Sequence, residues 1–357
     1  MIDRPHIVQV VPYEIGGGAE SVVNTLHAGL ERLGFSCERV HFCGAPLNGP
    51  PVTRFGNRHD SLMNITRLRS LIQKRRQNNM REIVLHSHLT HGFYVSMIAR
   101  LGLPIRWVHT EHNTTMRLRE IRWIRPIERR FYSRCDKIIA ISNGVHASLQ
   151  AALDLPESKI AVVPNGAKDF GIADRRRLGS QEVRIISVGS LSERKGFDTA
   201  LKALASASIG PWHYTIVGEG PELTNLQNLT DKLGISQKVT FAGWDDPGPF
   251  YRNSDLQIIP SRWEGFGLVA VEGMSTGLRV VASDVGGLRG VVGSDPDVAL
   301  LVTNHADPTS WIEPLEIIVK TLRKKDTPTS LNSAMQAQRF SNEEMVSKHA
   351  NIYQEIG

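Results

Sequence analysis

A strand, a glycine-containing loop and a helix follow one another in residues 256–277, which read LQIIPSRWEGFGLVAVEGMSTG. The aliphatic run at 256–260 is typical of a buried strand, and apolar residues recur at helical spacing over 268–276. This unit is the repeating element of a parallel α/β sheet. Glu264 in the loop and Glu272 in the helix follow the carboxyl end of the strand, where open α/β sheets bind their ligands.

The same alternation runs along most of the chain. Predicted strands lie at 6–11, 83–86, 105–109, 137–141, 160–163, 183–188, 213–217, 239–242, 256–260, 280–282 and 299–302. Predicted helices lie at 19–33, 64–78, 92–100, 143–152, 199–207, 222–233, 249–253, 268–276, 308–324 and 342–356. A polar stretch over 174–181 predicts a linker. We therefore predict two doubly wound α/β domains, 1–175 and 176–341.

Composition and charge limit the classes of function. The 357 residues are 41% hydrophobic and 22% charged, which is globular, and no apolar run approaches a membrane span. The strand-like start at residue 6 leaves no room for a signal peptide, so we expect a cytoplasmic protein. Residues 1–177 hold 26 Lys+Arg against 15 Asp+Glu (+11), and the remainder holds 16 against 21 (−5). The first half should therefore meet an anion, with nucleic acid, a membrane surface and a phosphorylated substrate as candidates.

Much of this positive charge lies between Arg117 and Lys137, where seven arginines and a lysine are interleaved with apolar residues including Trp123. Arginines beside an apolar face that carries a tryptophan are typical of a helix at an anionic membrane surface. A solvated helix with Ile124 and Phe131 in the core explains the pattern equally well.

Two glycine-rich loops could hold a ligand. Gly16 to Gly18 open a helix whose amides can hold an anion, or they form a plain tight turn. In the loop before the second helix, Gly265 and Gly267 let the backbone approach a ligand, and the amides of 266–268 can meet phosphate or sugar oxygens. Glu272 can accept hydrogen bonds from ribose hydroxyls. Two solvated glutamates beside a glycine loop are the alternative.

Residues 264–272, EGFGLVAVE, resemble the E-x7-E signature of retaining glycosyltransferases of family 4, which have the GT-B fold. Further segments match this family in the same order. They are the G-G-x-E loop at 17–20, P-N-G at 164–166, the basic loop at 188–196, VGEGPEL at 217–223, the strand at 239–243, SDLQIIPS at 254–261 and RFSNE at 339–343.

The resemblance implies two Rossmann-like domains facing a cleft. The first domain, 1–175 with a returning C-terminal helix at 342–357, would bind the acceptor, and 176–341 would bind a UDP- or GDP-sugar. The implied catalytic residues are His112, Arg194, Lys195 and Glu264. The implied donor-binding residues are Gly17, Gly18, Gly189, Gly218, Phe266, Gly267, Leu268 and Glu272. Candidates for contact with the acceptor or membrane are His88, His109, Arg122, Arg125 and Arg129.

Three departures from the family pattern stand out. Ser190 replaces the usual arginine of the basic loop, so the paired cations become Arg194 and Lys195. Lys168 stands where the family usually has aspartate after N-G. Arg289 replaces the usual proline of G-G-x-P-E and the glutamate is absent, which could alter the choice of donor.

No metal site is predicted. His86 and His88 point to one side of a strand, but no third ligand with a known spacing accompanies them. Asp295 and Asp297 satisfy D-x-D, the metal-binding tag of the other large glycosyltransferase fold, but their place before a strand favours solvated turn residues.

The sequence therefore predicts a metal-independent, retaining glycosyltransferase. The resemblance implies a lipid-linked or growing bacterial surface polysaccharide as acceptor, with peripheral membrane association and no nucleic-acid partner. Two other classes remain open. A nicotinamide-dependent oxidoreductase would need G-x-G-x-x-G, which is missing, and Glu38 as a ribose partner. A non-catalytic basic module that binds membrane or nucleic acid would fit the charge of the first half.

Overall fold

The structure is a computed structural model that describes residues 4–14, 18–44, 52–54, 61–78, 82–113, 121, 123–174, 181–324 and 331–356. The chain forms two compact units. The N-terminal unit comprises Met1–Gly166 with Asn342–Gly357, and the C-terminal unit comprises Ala167–Ser341. The chain thus passes from one unit to the other at 166/167, earlier than the predicted boundary at 175/176.

The N-terminal unit contains a parallel sheet in the order β3-β2-β1-β4-β5-β6-β7. Its strands are β1 (His6–Glu14), β2 (Cys37–Gly44), β3 (Val52–Arg54), β4 (Ile83–His88), β5 (Arg106–Glu111), β6 (Lys137–Ala140) and β7 (Ile160–Val162). Its helices are α1 (Gly18–Arg32), α2 (Ser61–Gln77), α3 (Leu89–Ala99), α4 (Arg125–Tyr132), α5 (Asn143–Leu153) and α13 (Asn342–Ile356).

The sequence analysis did not predict β2 and β3 as strands, because β2 carries charged residues that look exposed. The structure pairs these residues from neighbouring elements. Arg39 is 2% exposed and bonds Asn24 of α1. Burial alone would raise the pKa of Glu38, but hydrogen bonds from His6, Arg75 and Thr53 outweigh it and lower the pKa to about 2. The Glu38 carboxylate is therefore already engaged, which removes the ribose partner that an oxidoreductase would need.

Helix α13 returns to the N-terminal unit, as the resemblance implied. It packs against α1, where a Cβ on Gly29 would lie 2.4 Å from Cγ2 of Val346. Glycine at this position therefore lets the two helices approach closely. The contact brings His349 and Tyr353 of α13 onto the face of the sheet that carries His86 and His88.

The C-terminal unit contains a parallel sheet in the order β10-β9-β8-β11-β12-β13. Its strands are β8 (Val183–Val188), β9 (Trp212–Val217), β10 (Val239–Gly243), β11 (Leu256–Ile259), β12 (Arg279–Ser283) and β13 (Ala299–Val302). Its helices are α6 (Phe197–Ser206), α7 (Leu223–Lys232), α8 (Pro247–Asn253), α9 (Leu268–Ser275), α10 (Gly286–Val292), α11 (Ile312–Leu322) and α12 (Leu331–Gln338).

The short helices α10 and α12 were not predicted. The glycines of α10 lower its helix propensity, so its sequence resembles a loop. Both pack against other helices: α10 contacts α9, and α12 contacts both. Tertiary contacts therefore stabilise both helices more than their own composition does.

Among the described residues, no helix has the length and apolar content needed to cross a membrane.

Candidate active site

The candidate site of the C-terminal unit lies where its strand order reverses. β8 and β11 are neighbours in the sheet, and the chain leaves β8 toward β9 on one side and β11 toward β12 on the other. Open α/β sheets bind their ligands beyond the carboxyl ends of the strands at such a switch point. The loops that follow β8 and β11 carry Lys195 and Glu264, so the two predicted motifs meet here.

Glu264 lies between two cations. Nζ of Lys195 donates a 2.6 Å hydrogen bond to its Oε2, and Nη1 of Arg194 lies 3.3 Å from its Oε1. The hydroxyl of Ser261 donates to Oε2 at 3.3 Å. Burial raises the pKa of Glu264, but Lys195, Arg194 and the hydrogen bonds from Lys195 and Ser261 outweigh it, so the pKa lies below its ordinary value. The carboxylate is therefore held as an anion beside a pair of cations.

The two loops are joined by backbone contacts. The amide of Arg262 donates to the carbonyl of Arg194 at 2.8 Å, and Arg262 pairs with Asp198 at 2.9 Å. Gly196 has φ +65°, and a Cβ there would lie 2.1 Å from the carbonyl oxygen of Pro260. These contacts fix Arg194 and Lys195 relative to Glu264.

Gly189 and Gly218, both predicted to bind the donor, bring neighbouring loops together. The amide of Gly189 donates to Val217 O at 2.9 Å, and that of Gly218 donates to Gly243 O at 2.7 Å. A Cβ on Gly218, which has φ +141°, would lie 2.0 Å from the carbonyl oxygen of Gly189. Because both amides are engaged, these glycines have a structural role that the sequence analysis did not assign them.

The loop before α9 is shaped by Gly267 and Phe266. Gly267 has φ +100°, and a Cβ there would lie 2.5 Å from Cδ2 of Leu288. The Phe266 ring is 4% exposed and packs edge-to-face on Phe340 at 5.5 Å, so this side chain anchors the loop in the core. Leu268 begins α9, and the amide of Ala270 already donates to the carbonyl oxygen of Gly267 at 2.9 Å. The N-terminus of a helix favours a bound anion.

Glu272 lies on α9 and contacts Tyr251 of α8. The Tyr251 hydroxyl donates to Oε2 of Glu272 at 3.1 Å. Burial raises the pKa of Glu272, and the hydrogen bond from Tyr251 and the charges of Lys168 and Lys195 lower it only in part. The sequence analysis missed Tyr251, because no local pattern links an aromatic residue of one short helix to a carboxylate of the next.

In the N-terminal unit, His88 and His112 lie side by side. Nδ1 of His88 and Nε2 of His112 are 3.2 Å apart, and the bond direction depends on the tautomer. Burial lowers the pKa of His112 to about 4. The charge of Glu111 opposes this shift, and His109 and His349 add to it. His112 is therefore neutral near pH 7.

His109 lies on the opposite face of the sheet from His88. It is 1% exposed, its ring packs 4.7 Å from that of Phe93, and its Nδ1 lies 2.9 Å from the carbonyl oxygen of Ser87. His109, a candidate for contact with the acceptor, is thus packed in the interior of the N-terminal unit.

His86 is fully engaged by two hydroxyls. Its Nδ1 lies 2.6 Å from the hydroxyl of Tyr353, and its Nε2 lies 2.7 Å from that of Thr110. The part of the chain that the structure describes contains no group of three metal-ligating side chains. Asp295 accepts from the amide of Asp297, whose carboxylate pairs with Arg279 at 3.3 Å, so both aspartates have structural partners.

Some of the other predicted site residues lie among the described residues and others do not. Gly18 begins α1, whereas Gly17 and Arg122 lie outside the described residues. Helix α4 is shorter than the predicted basic segment. It buries Glu128 and Tyr132 and carries Arg125 and Arg129, and Trp123 just before it is 73% exposed.

Two sequence profiles match the chain. Glycosyltransferase family 4 matches residues 16–168, and glycosyl transferases group 1 matches residues 172–331. Together they include most of both sheets and the Glu264 and Glu272 loop.

Three relatives are similar in sequence. An uncharacterized glycosyltransferase of Methanocaldococcus jannaschii is 30% identical over 50% of this chain and 50% of that protein. An uncharacterized 41.2 kDa protein in the cps region of Klebsiella pneumoniae is 27% identical over 81% and 84%. D-inositol 3-phosphate glycosyltransferase of Corynebacterium urealyticum is 30% identical over 69% and 65%. The matched segment thus spans half the length of the first relative and under two thirds of the third.

Solved structures share the fold over almost the whole chain. Anabaena HepE in complex with UDP superposes with a TM-score of 0.81 at 19% identity, covering 98% of this chain and 100% of that one. Sucrose-phosphate synthase from Thermosynechococcus elongatus has a TM-score of 0.80 at 19% identity, covering 99% of both chains. With two parallel sheets in one chain and both profiles matched in order, the protein belongs to the GT-B glycosyltransferases of group 1, family 4 type.

Proposed function

We propose that the protein is a retaining glycosyltransferase that moves a sugar from a nucleoside diphosphate to a hydroxyl group of an acceptor. The observation that carries this proposal is the contact of Lys195 and Arg194 with Glu264 at the switch point of the C-terminal sheet. Family membership and the likeness to HepE, which was solved with UDP, support it. In this proposal the C-terminal unit binds the donor and the N-terminal unit binds the acceptor.

The leaving group needs positive charge. Breaking the bond between the anomeric carbon and the phosphate oxygen leaves a nucleoside diphosphate with an additional negative charge. Lys195 and Arg194 are held beside the site and can stabilise that charge without reorganising. Fixed cations of this kind support metal-independent transfer.

Retention of the anomeric configuration depends on the face of attack and on the group that accepts the hydroxyl proton. The acceptor oxygen forms its bond to the anomeric carbon on the face that the phosphate leaves, and the departing phosphate oxygen takes the hydroxyl proton. Configuration is thereby retained without a protein base. Glu264 is neutralised by two cations, which favours contact with sugar hydroxyls over attack on carbon.

The surface of the N-terminal unit favours an acceptor at an anionic membrane. Arg129 and Arg130 of α4 are exposed, as are the apolar side chains of Trp123 (73%) and Ile127 (45%). Basic and apolar groups together are typical of interfacial binding. We infer a lipid-linked or growing surface polysaccharide acceptor at the cytoplasmic face of a membrane, which the similar protein from a Klebsiella cps region supports.

Ligand binding tests this function. The full chain is titrated calorimetrically with UDP, GDP, ADP and NAD, without added metal. We expect binding of one nucleoside diphosphate and none of NAD. Binding of NAD alone would favour the oxidoreductase, and binding of no nucleotide would favour a non-catalytic basic module.

A further inference from the structure

Tyr251 holds one oxygen of Glu272. Its side chain is fully buried, and its hydroxyl lies 3.1 Å from Oε2 of Glu272 and 3.3 Å from the carbonyl oxygen of Val269. That carbonyl already accepts a 2.8 Å hydrogen bond from Gln257. Because a carboxylate is the stronger acceptor, the single hydroxyl proton belongs to Glu272.

The Tyr251 ring is itself held in place, so the direction of its hydroxyl is determined by packing. It packs 5.7 Å from the ring of Phe170, and Gln257 bonds its hydroxyl. Among the described residues, no partner is assigned to Oε1 of Glu272. That oxygen is therefore the acceptor available for a ligand.

The charges that face Glu272 come from several elements. Lys168 lies before β8, Lys195 follows β8, and Asp246 is the N-cap of α8; the two lysines lower the pKa of Glu272 and the aspartate raises it. Lys168 is held loosely, with Nζ 3.9 Å from Oδ1 of Asp246 and 4.5 Å from the Phe170 ring centre. Its side chain is 63% exposed, so its influence on Glu272 is open to screening by salt.

We propose that Tyr251 is a positioning residue that aims Oε1 of Glu272 at the ribose hydroxyls of the donor. The inference rests on the proposed function, because it assigns Glu272 to ribose. It gives a role to a tyrosine that the sequence analysis missed.

The test compares one variant with one control. Tyr251→Phe removes only the hydroxyl, and Tyr214→Phe removes another fully buried hydroxyl of the same unit, one that bonds Ser187. Each protein is titrated calorimetrically with the nucleoside diphosphate that the parent binds, and separately with inorganic pyrophosphate. The titrations are repeated from neutral pH down to the acid limit of binding, because the pKa of Glu272 is raised.

We expect Tyr251→Phe to bind the nucleoside diphosphate about 3- to 10-fold more weakly near pH 7, the effect of one hydrogen bond. Its affinity should also begin to fall at a pH roughly 0.5 to 1 unit higher than in the parent, because the pKa of Glu272 rises further. Pyrophosphate affinity should be unchanged in this variant and in the Tyr214→Phe control.

Parental affinity and an unmoved acid limit in Tyr251→Phe would overturn the positioning role, as would an equal loss of pyrophosphate binding. A parent that binds no nucleoside diphosphate would instead reject the proposed function itself, so the two failures are distinguishable.

Discussion

Replacing Lys195 with alanine removes the shortest charge contact of the candidate site. Nζ of Lys195 is 2.6 Å from Oε2 of Glu264, and the lysine is 8% exposed. After the change, Glu264 keeps Arg194 at 3.3 Å and the Ser261 hydroxyl at 3.3 Å. The variant therefore weakens both the stabilisation of the leaving phosphate and the ionisation of Glu264.

Two magnitudes follow. Loss of one preorganised group that stabilises transition-state charge costs about 10²- to 10³-fold in rate, or about 2.7 to 4 kcal/mol. Breaking a buried ion pair costs about 3 to 5 kcal/mol of stability, and we expect the lower end because Arg194 remains. In the parent, the pKa of Glu264 is lower in the folded protein than in the unfolded chain. Its contribution to the free energy of unfolding is therefore fully present above the unfolded pKa and is lost as the pH falls through the folded pKa. In the variant that loss should begin at a higher pH.

The assay is single-turnover transfer with a radiolabelled nucleotide sugar, measured across pH beside thermal unfolding. Lys202→Ala is the matched control, since this lysine is exposed and pairs with Asp198 of the same helix, α6, at 3.3 Å. The control should keep the parental rate. A folded Lys195→Ala variant with the parental rate would refute the reasoning and move the phosphate site elsewhere.

Glu272→Ala should lose affinity for the nucleoside diphosphate, whereas Glu264→Ala should mainly lose turnover, because we propose that Glu272 contacts ribose and Glu264 the transferring sugar; calorimetry with parallel rate measurements checks this, and parental affinity in Glu272→Ala would contradict it. EDTA should leave turnover unchanged if, as proposed, Lys195 and Arg194 stabilise the leaving-group charge; activity lost and then restored by Mg²⁺ or Mn²⁺ would contradict metal independence. Anionic liposomes should sediment the protein at low salt and release it at about 1 M salt, where the Debye length is about 3 Å. Replacing both Arg125 and Arg129 with Gln should reduce this binding. If the double variant binds the liposomes as the parent does, the proposal that α4 contacts the membrane is wrong.

The fold was predictable where hydrophobic pattern and secondary structure agree, as in the run from β11 into α9. It was not predictable where burial depends on distant partners. Glu38 and Arg39 made β2 look exposed, yet residues of α1, α2 and β3 pair with them. The position of a polar residue in a sheet depends on such partners, which a local pattern does not contain.

The candidate site also contains residues that the sequence predicted and contacts that it did not. The family motifs predicted Lys195, Glu264 and Glu272, because each belongs to a local pattern. The contact of Tyr251 with Glu272 joins two helices, and that of Tyr353 with His86 joins residues 267 positions apart. The engaged amides of Gly189 and Gly218 are likewise set by neighbouring loops. Motifs thus predict which residues belong to the candidate site, and tertiary contacts determine which of their atoms can still bind a ligand.

The stereochemistry of the first product tests the central claim most directly. The parent is incubated in EDTA with the nucleotide sugar and the acceptor that it turns over, and the anomeric proton of the new glycoside is recorded by NMR. The account predicts the anomeric configuration of the donor, produced without metal by the parent and far more slowly by Lys195→Ala. A product of inverted configuration would contradict it.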